Sequence, residues 1–214
     1  MNKFSTIRLV VLDMLVAVAY MIVALVRIPV VLLLKYEPKD VVITIGGFLL
    51  GPMASFIISL LVSLLKMVTI SETGPIGALM NLLSTCSFAC VAAFIYKKKH
   101  TLGGAVAGLA AGSIVMVVIM LLWNWLITPL YMGVERSAVE SLLLPAFLPF
   151  NLLKAGLNSA LTLGLYKPMV TALRKTGLVE SGAKTGASKI GIYLFAAGLL
   201  ITCILLLLAF QRKI

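Results

Sequence analysis

Pro149-Phe150-Asn151-Leu152-Leu153-Lys154-Ala155-Gly156-Leu157-Asn158 lies inside an apolar run of membrane-spanning length that begins near Leu142 and ends around Leu173. On a helix, Asn151, Lys154 and Asn158 fall at i, i+3 and i+7, which is a single face. A lysine and two amides on one stripe of a hydrocarbon-embedded helix are costly unless they line a cavity or pair inside the protein. The rest of the chain is therefore read as a scaffold that gives this stripe something to bind.

The composition agrees with a membrane setting. Of 214 residues, 62% are hydrophobic and only 12% are charged, whereas a soluble domain is nearer half apolar and a quarter charged. With about 20 residues per span, the chain holds six or seven helices and no extramembrane domain. The net charge of +11 is assigned to cytoplasmic loops by the positive-inside rule. It does not indicate nucleic acid, because no basic patch is interleaved with aromatics.

Six further apolar runs surround the opening stretch. The first extends from about Leu9 to Leu34, with Arg27-Ile28-Pro29 ending or bending its helix. A polar loop from Lys35 to Asp40 follows, and Asp40 is expected as the N-cap of a short second run, Val41 to Leu50. Gly51-Pro52 marks a turn before the third run, Met53 to Ile70. The fourth, Ile76 to Tyr96, stops at Lys97-Lys98-Lys99-His100. The fifth, Leu102 to Leu130, begins rich in Gly and Ala, which suits close helix packing in lipid, and ends with Trp123-Asn124-Trp125. The opening stretch belongs to the sixth. A Gly/Ser/Lys linker over 177–189 then leads to an additional span over 190–214, so the predicted division is a six-helix domain over 1–176, a linker and an extra helix.

Charge sets an orientation. With the N-terminus inside, Lys3, Arg8, Lys97, Lys98, Lys99, Lys167, Arg174, Lys175, Lys184 and Lys189 are cytoplasmic, ten of the eighteen lysines and arginines. Asp40, Lys66, Asn81, Asn124, Asn151 and Lys154 then all fall in the outer halves of their helices. Six polar positions at one depth describe the wall of a pocket open to the outside; the competing reading is interhelical glue. Asn158, one turn deeper, is read as packing or glue.

Several chemistries have no basis here. There is no Walker motif, no H-E-x-x-H and no G-x-S-x-G. The seven acidic residues are scattered, and Cys86, Cys90 and Cys203 have no metal spacing. The chain is not expected to be an enzyme or to hold a cofactor or metal. A small membrane protein with an outward pocket and no power source points to a binding subunit that relies on a partner.

The motifs Asp40-Val41-Val42 through Phe48-Leu49-Leu50-Gly51-Pro52, and Gly74-Pro75-Ile76-Gly77 with Asn81, resemble the substrate-binding (S) subunits of energy-coupling-factor vitamin transporters. Trp123-Asn124-Trp125, Pro129-Leu130-Tyr131 and Pro149 to Lys154 look more narrowly like the riboflavin-specific member. The resemblance spans roughly residues 8–175. It implies an all-α membrane protein, a six-helix bundle here extended by a C-terminal transmembrane helix, in a prokaryotic plasma membrane. It implies riboflavin as a transported ligand, and a complex with one transmembrane coupling subunit and two cytoplasmic ATPases. By the resemblance, Asn124, Asn151 and Lys154 contact the flavin; Asp40, Lys66 and Asn81 are assigned to the same pocket. An amide offers both a donor and an acceptor to the flavin imide edge, Trp123 or Trp125 is a candidate for stacking or for interfacial anchoring, and the loop Lys35 to Lys39 is a candidate lid. The family's first helix presents alanines four apart for docking; this chain has Asp13, Ala17 and Met21 there, so the pair is missing. The alternatives are an S subunit for another vitamin, or a self-sufficient ion-coupled transporter, for which Asp13 is the one candidate acid.

Overall fold

The computed structural model describes residues 3–31, 34–70, 73–175 and 189–211. In chain order the described elements are α1 (Lys3–Leu25), strands β1 (Ile28–Val31) and β2 (Leu34–Tyr36), α2 (Lys39–Leu50), α3 (Pro52–Thr69), α4 (Gly74–Lys99), α5 (Leu102–Leu126), α6 (Thr128–Met132), α7 (Arg136–Leu142), a π-helical turn (Leu143–Phe147), α8 (Leu148–Lys175) and α9 (Lys189–Gln211). Among the described residues, five stretches are long and apolar enough to cross a membrane: α1, α3, α4, α5 and the run from α7 into α8. Helix α2, at 12 residues, rises only about 18 Å. Strands β1 and β2 pair antiparallel with Ile28 opposite Tyr36.

This hairpin differs from the sequence expectation, in which Val30 to Leu34 continued an apolar run into a loop. The β-branched and aromatic residues of Ile28-Pro29-Val30-Val31 and Tyr36 favour strand, and Pro29 cannot continue α1. The Gly51-Pro52 turn is found as expected. Gly51 has φ +98°, a conformation open to glycine, and Pro52 opens α3 where its missing N–H costs nothing. The π turn contains Pro145 and precedes Pro149, neither of which has an N–H to give, and at its end Leu148 N–H bonds to Leu143 O.

The buried centre is formed by Phe88, Ala89, Ala92 and Ala93 of α4 against Leu109, Met116 and Met120 of α5 and Ile43, Ile58 and Val62 of α2 and α3. The outer faces are apolar as well. Leu9, Met14, Met21 and Leu25 of α1 are 52–78% exposed, the pattern of a helix solvated by lipid. Helices α4 and α5 approach each other through glycine. A Cβ on Gly108 would stand 2.6 Å from Ala92 O, and one on Gly112 would strike Phe88 O. Backbone carbonyls cannot yield as side chains do, so Gly108→Leu is expected to lower the thermal midpoint in detergent, at the upper end of the ~1–3 kcal/mol range for overpacking. Gly103→Leu, where the nearest atom is 4.0 Å away, should leave the midpoint unchanged. Equal midpoints for the two variants would count against this contact.

Candidate functional site

A cavity of about 280 Å³ opens at the end of the bundle opposite Lys97, Lys98 and Lys99. Helix α8 contributes Phe150, Asn151 and Lys154; α5 contributes Met120 and Asn124; α4 contributes Met80, Asn81 and Ser84; α3 contributes Lys66. Leu34, Lys35 and Glu37 reach it from the hairpin and the turn that follows, and Arg27 from beyond α1. Five of the six residues expected in a pocket wall, Lys66, Asn81, Asn124, Asn151 and Lys154, therefore line one cavity. The sixth, Asp40, does not.

Asp40 sits behind the wall, fully buried. Its Oδ2 pairs with Lys154 Nζ at 3.1 Å and accepts from Asn158 Nδ2 at 3.3 Å. Its Oδ1 accepts from Lys39 Nζ at 2.8 Å and from Thr85 Oγ1 at 2.7 Å. The expectation of an N-cap is corrected: Pro38 occupies that position and no side chain caps the helix. Two ammonium groups in a low-dielectric site outcompete a backbone N–H for a carboxylate. As the second residue of α2, Asp40 still gains from the positive end of the helix dipole.

The charges form one connected set. Lys39, only 1% exposed, also lies 3.6 Å from Glu37 Oε2. Glu37 in turn forms an ion pair with Lys66. Lys154 also donates to Ser84 Oγ at 2.9 Å. Three lysines thus share two carboxylates, and Arg27 and Lys35 add further positive charge around the cavity. Arg27 donates to the Val23 and Ile70 carbonyls at 3.1 and 3.4 Å.

The amides are held by their own helices. Asn124 Nδ2 donates to Met120 O at 2.7 Å and Asn124 Oδ1 accepts from Thr128 Oγ1 at 3.0 Å. Asn151 Nδ2 donates to Phe147 O at 2.8 Å, and Asn81 Nδ2 to Gly77 O at 2.9 Å. Asn158 lies off the cavity, where its Oδ1 accepts from Tyr36 Oη at 3.0 Å. Burial, reinforced by the Asp40 charge and then by Cys203, pushes the Tyr36 phenol far above its ordinary range, so it remains a donor.

Sequence reasoning missed Ser84 and Thr85, and it named Tyr36, Glu37 and Lys39 only within the candidate lid over Lys35 to Lys39, not as partners of buried charges and amides. The alternation of Glu37, Lys39 and Asp40 at the edge of an apolar run was the available signal, since charges there must find partners. Neither Trp123 nor Trp125 lines the cavity. Trp125 Nε1 donates to Glu140 at 2.9 Å with Arg136 over its ring, and Trp123 packs against the buried centre, so no stacking surface comes from either.

Among the described residues, the cavity is polar and positively biased, with Arg27, Lys35, Lys66 and Lys154 against Glu37 in its lining. The family model for the ECF transporter substrate-specific component matches residues 7–166, and the chain belongs to that family of transporter components, which are not enzymes. It is 27% identical over 159 residues to the riboflavin transporter FmnP of Bacillus subtilis, covering 69% of this chain and 83% of that protein. It also matches a solved structure of the S component of a bacterial ECF transporter, with TM-score 0.68 and 26% identity over 79% of this chain and 99% of that one.

Proposed function

We propose that this chain is the riboflavin-binding subunit of an ECF-type importer, acting with a transmembrane coupling subunit and two cytoplasmic ATPases in a prokaryotic plasma membrane. The N-terminus is cytoplasmic in this reading and the cavity faces outward, opposite the Lys97-Lys98-Lys99 cluster. The observation that carries the proposal is the convergence of Asn124, Asn151 and Lys154 on one cavity in a chain related to a riboflavin transporter. Amides supply paired donors and acceptors for the flavin imide edge, and the lysine supplies donors to a carbonyl or a ribityl hydroxyl. Met80, Met120, Phe150 and Leu34 in the wall offer apolar and polarisable contacts to the ring faces. Riboflavin is cargo here, not a cofactor.

Protein purified from riboflavin-fed cells is expected to be yellow, with flavin absorbance that persists through gel filtration. Ligand-free protein should quench riboflavin fluorescence at a 1:1 endpoint and show no ATPase activity alone. A colourless protein that leaves riboflavin fluorescence unchanged would refute the proposal, and mass spectrometry of any other co-purified small molecule would name the cargo.

A further inference from the structure

Helix α9 lies outside the region matched by the family model, residues 7–166, yet its inner face is fitted to the cavity's surroundings. Cys203 is buried in a cluster with Val30 and Tyr36 of the hairpin and Phe150, Leu153 and Leu157 of α8. Leu199 and Leu200 pack against the same cluster, as does Leu34. Leu34 and Phe150 also line the cavity. The helices meet closely at Gly156, where a Cβ would stand 2.6 Å from Cys203 Sγ.

A two-stranded hairpin is marginal by itself, so the position of this one is set by what it rests on. Its polar anchor is the bond from Tyr36 Oη to Asn158. Its apolar anchor is shared between α8 and α9. We propose that α9 is a positioning element for the substrate cavity, with Leu199, Leu200 and Cys203 clamping the hairpin against α8 and so slowing release of bound ligand. The ligand arm of this inference rests on the riboflavin reading; the hairpin arm does not.

The test uses the full chain in lipid nanodiscs. Gly156→Ala places a methyl group against Cys203 Sγ and drives α9 outward; Gly156→Ala with Cys203→Ala removes the obstructing sulfur. The first readout is amide hydrogen exchange of Ile28, Val30, Val31 and residues 34–36 without ligand. The second is the rate of riboflavin release after a chase. Gly156→Ala is expected to speed both by roughly tenfold, the scale of losing part of one packed aliphatic contact, while amides of α4 and α5 exchange as in wild type. The double variant should return both toward wild type, a rescue that general destabilisation would not produce. Leu199→Ala with Leu200→Ala deletes the contacts without a clash and is judged in the same way if Gly156→Ala does not fold. Faster exchange in α9 with unchanged exchange in the hairpin would overturn the inference. If wild type binds no riboflavin, the functional reading fails and the clamp is decided by exchange alone.

Discussion

Asp40→Asn is expected to lower the stability of the purified protein by about 3–5 kcal/mol, the cost of breaking a buried ion pair from one side. The substitution keeps shape and volume, so no cavity is created and the loss is electrostatic. Asp40 is fully buried and its two oxygens take donors from Lys39, Thr85, Lys154 and Asn158. Neutralising it leaves Lys154 with Ser84, and Lys39 with Thr85 and a Glu37 already engaged by Lys66. Thr85→Val is the comparison, because it removes one hydroxyl from the same carboxylate and should cost only about 1 kcal/mol. Adding Lys39→Met to Asp40→Asn should recover part of the loss, since the stranded ammonium is its source. Denaturant or thermal unfolding in mild detergent reads all three; an Asp40→Asn protein within about 1 kcal/mol of wild type would show that the charge is not holding the bundle together.

That network also marks how far the sequence could be read. The spans were legible because a helix in lipid must be continuously apolar for about 20 residues, and the glycines of α5 announced close packing in the same way. The stripe of Asn151 and Lys154 was legible because its periodicity places both on one face, and Asn124, Asn81 and Lys66 followed from their matching depth. The hairpin was not, because Val30 to Leu34 is as apolar as the helix before it, and only the pairing of Ile28 with Tyr36 distinguishes it. Lys39 was taken for a loop residue for a related reason. Its partners Thr85 and Asp40 lie on two helices, and the approach of α2 to α4 that brings them together is a tertiary fact. Asp40 was expected in the pocket wall and at the N-cap, whereas the structure places it behind the wall, paired with Lys154.

Lys154→Ala is expected to weaken riboflavin binding by roughly ten- to hundredfold while leaving a folded protein, following the ~1.5–3 kcal/mol of a hydrogen bond to a charged group. An ammonium has three donors. Two are committed to Asp40 and Ser84, which leaves one for a ligand carbonyl or hydroxyl. The fold survives the change because Asp40 keeps Lys39, Thr85 and Asn158. Asn151→Ala should cost affinity by about tenfold: its Nδ2 is given to Phe147 O, and among the described residues its Oδ1 has no partner, so a ligand N–H is the group it is free to accept. Asn158→Ala is the discriminating control. It bonds Tyr36 and Asp40 rather than facing the cavity, so it should lower stability, and any affinity it loses should come with faster amide exchange in the hairpin, which Lys154→Ala and Asn151→Ala should leave as in wild type. Fluorescence titration and hydrogen exchange of the three variants together separate these outcomes. Wild-type affinity in both Lys154→Ala and Asn151→Ala would remove the proposed site and leave the family membership untouched, because that membership rests on the match over residues 7–166 and not on these two side chains.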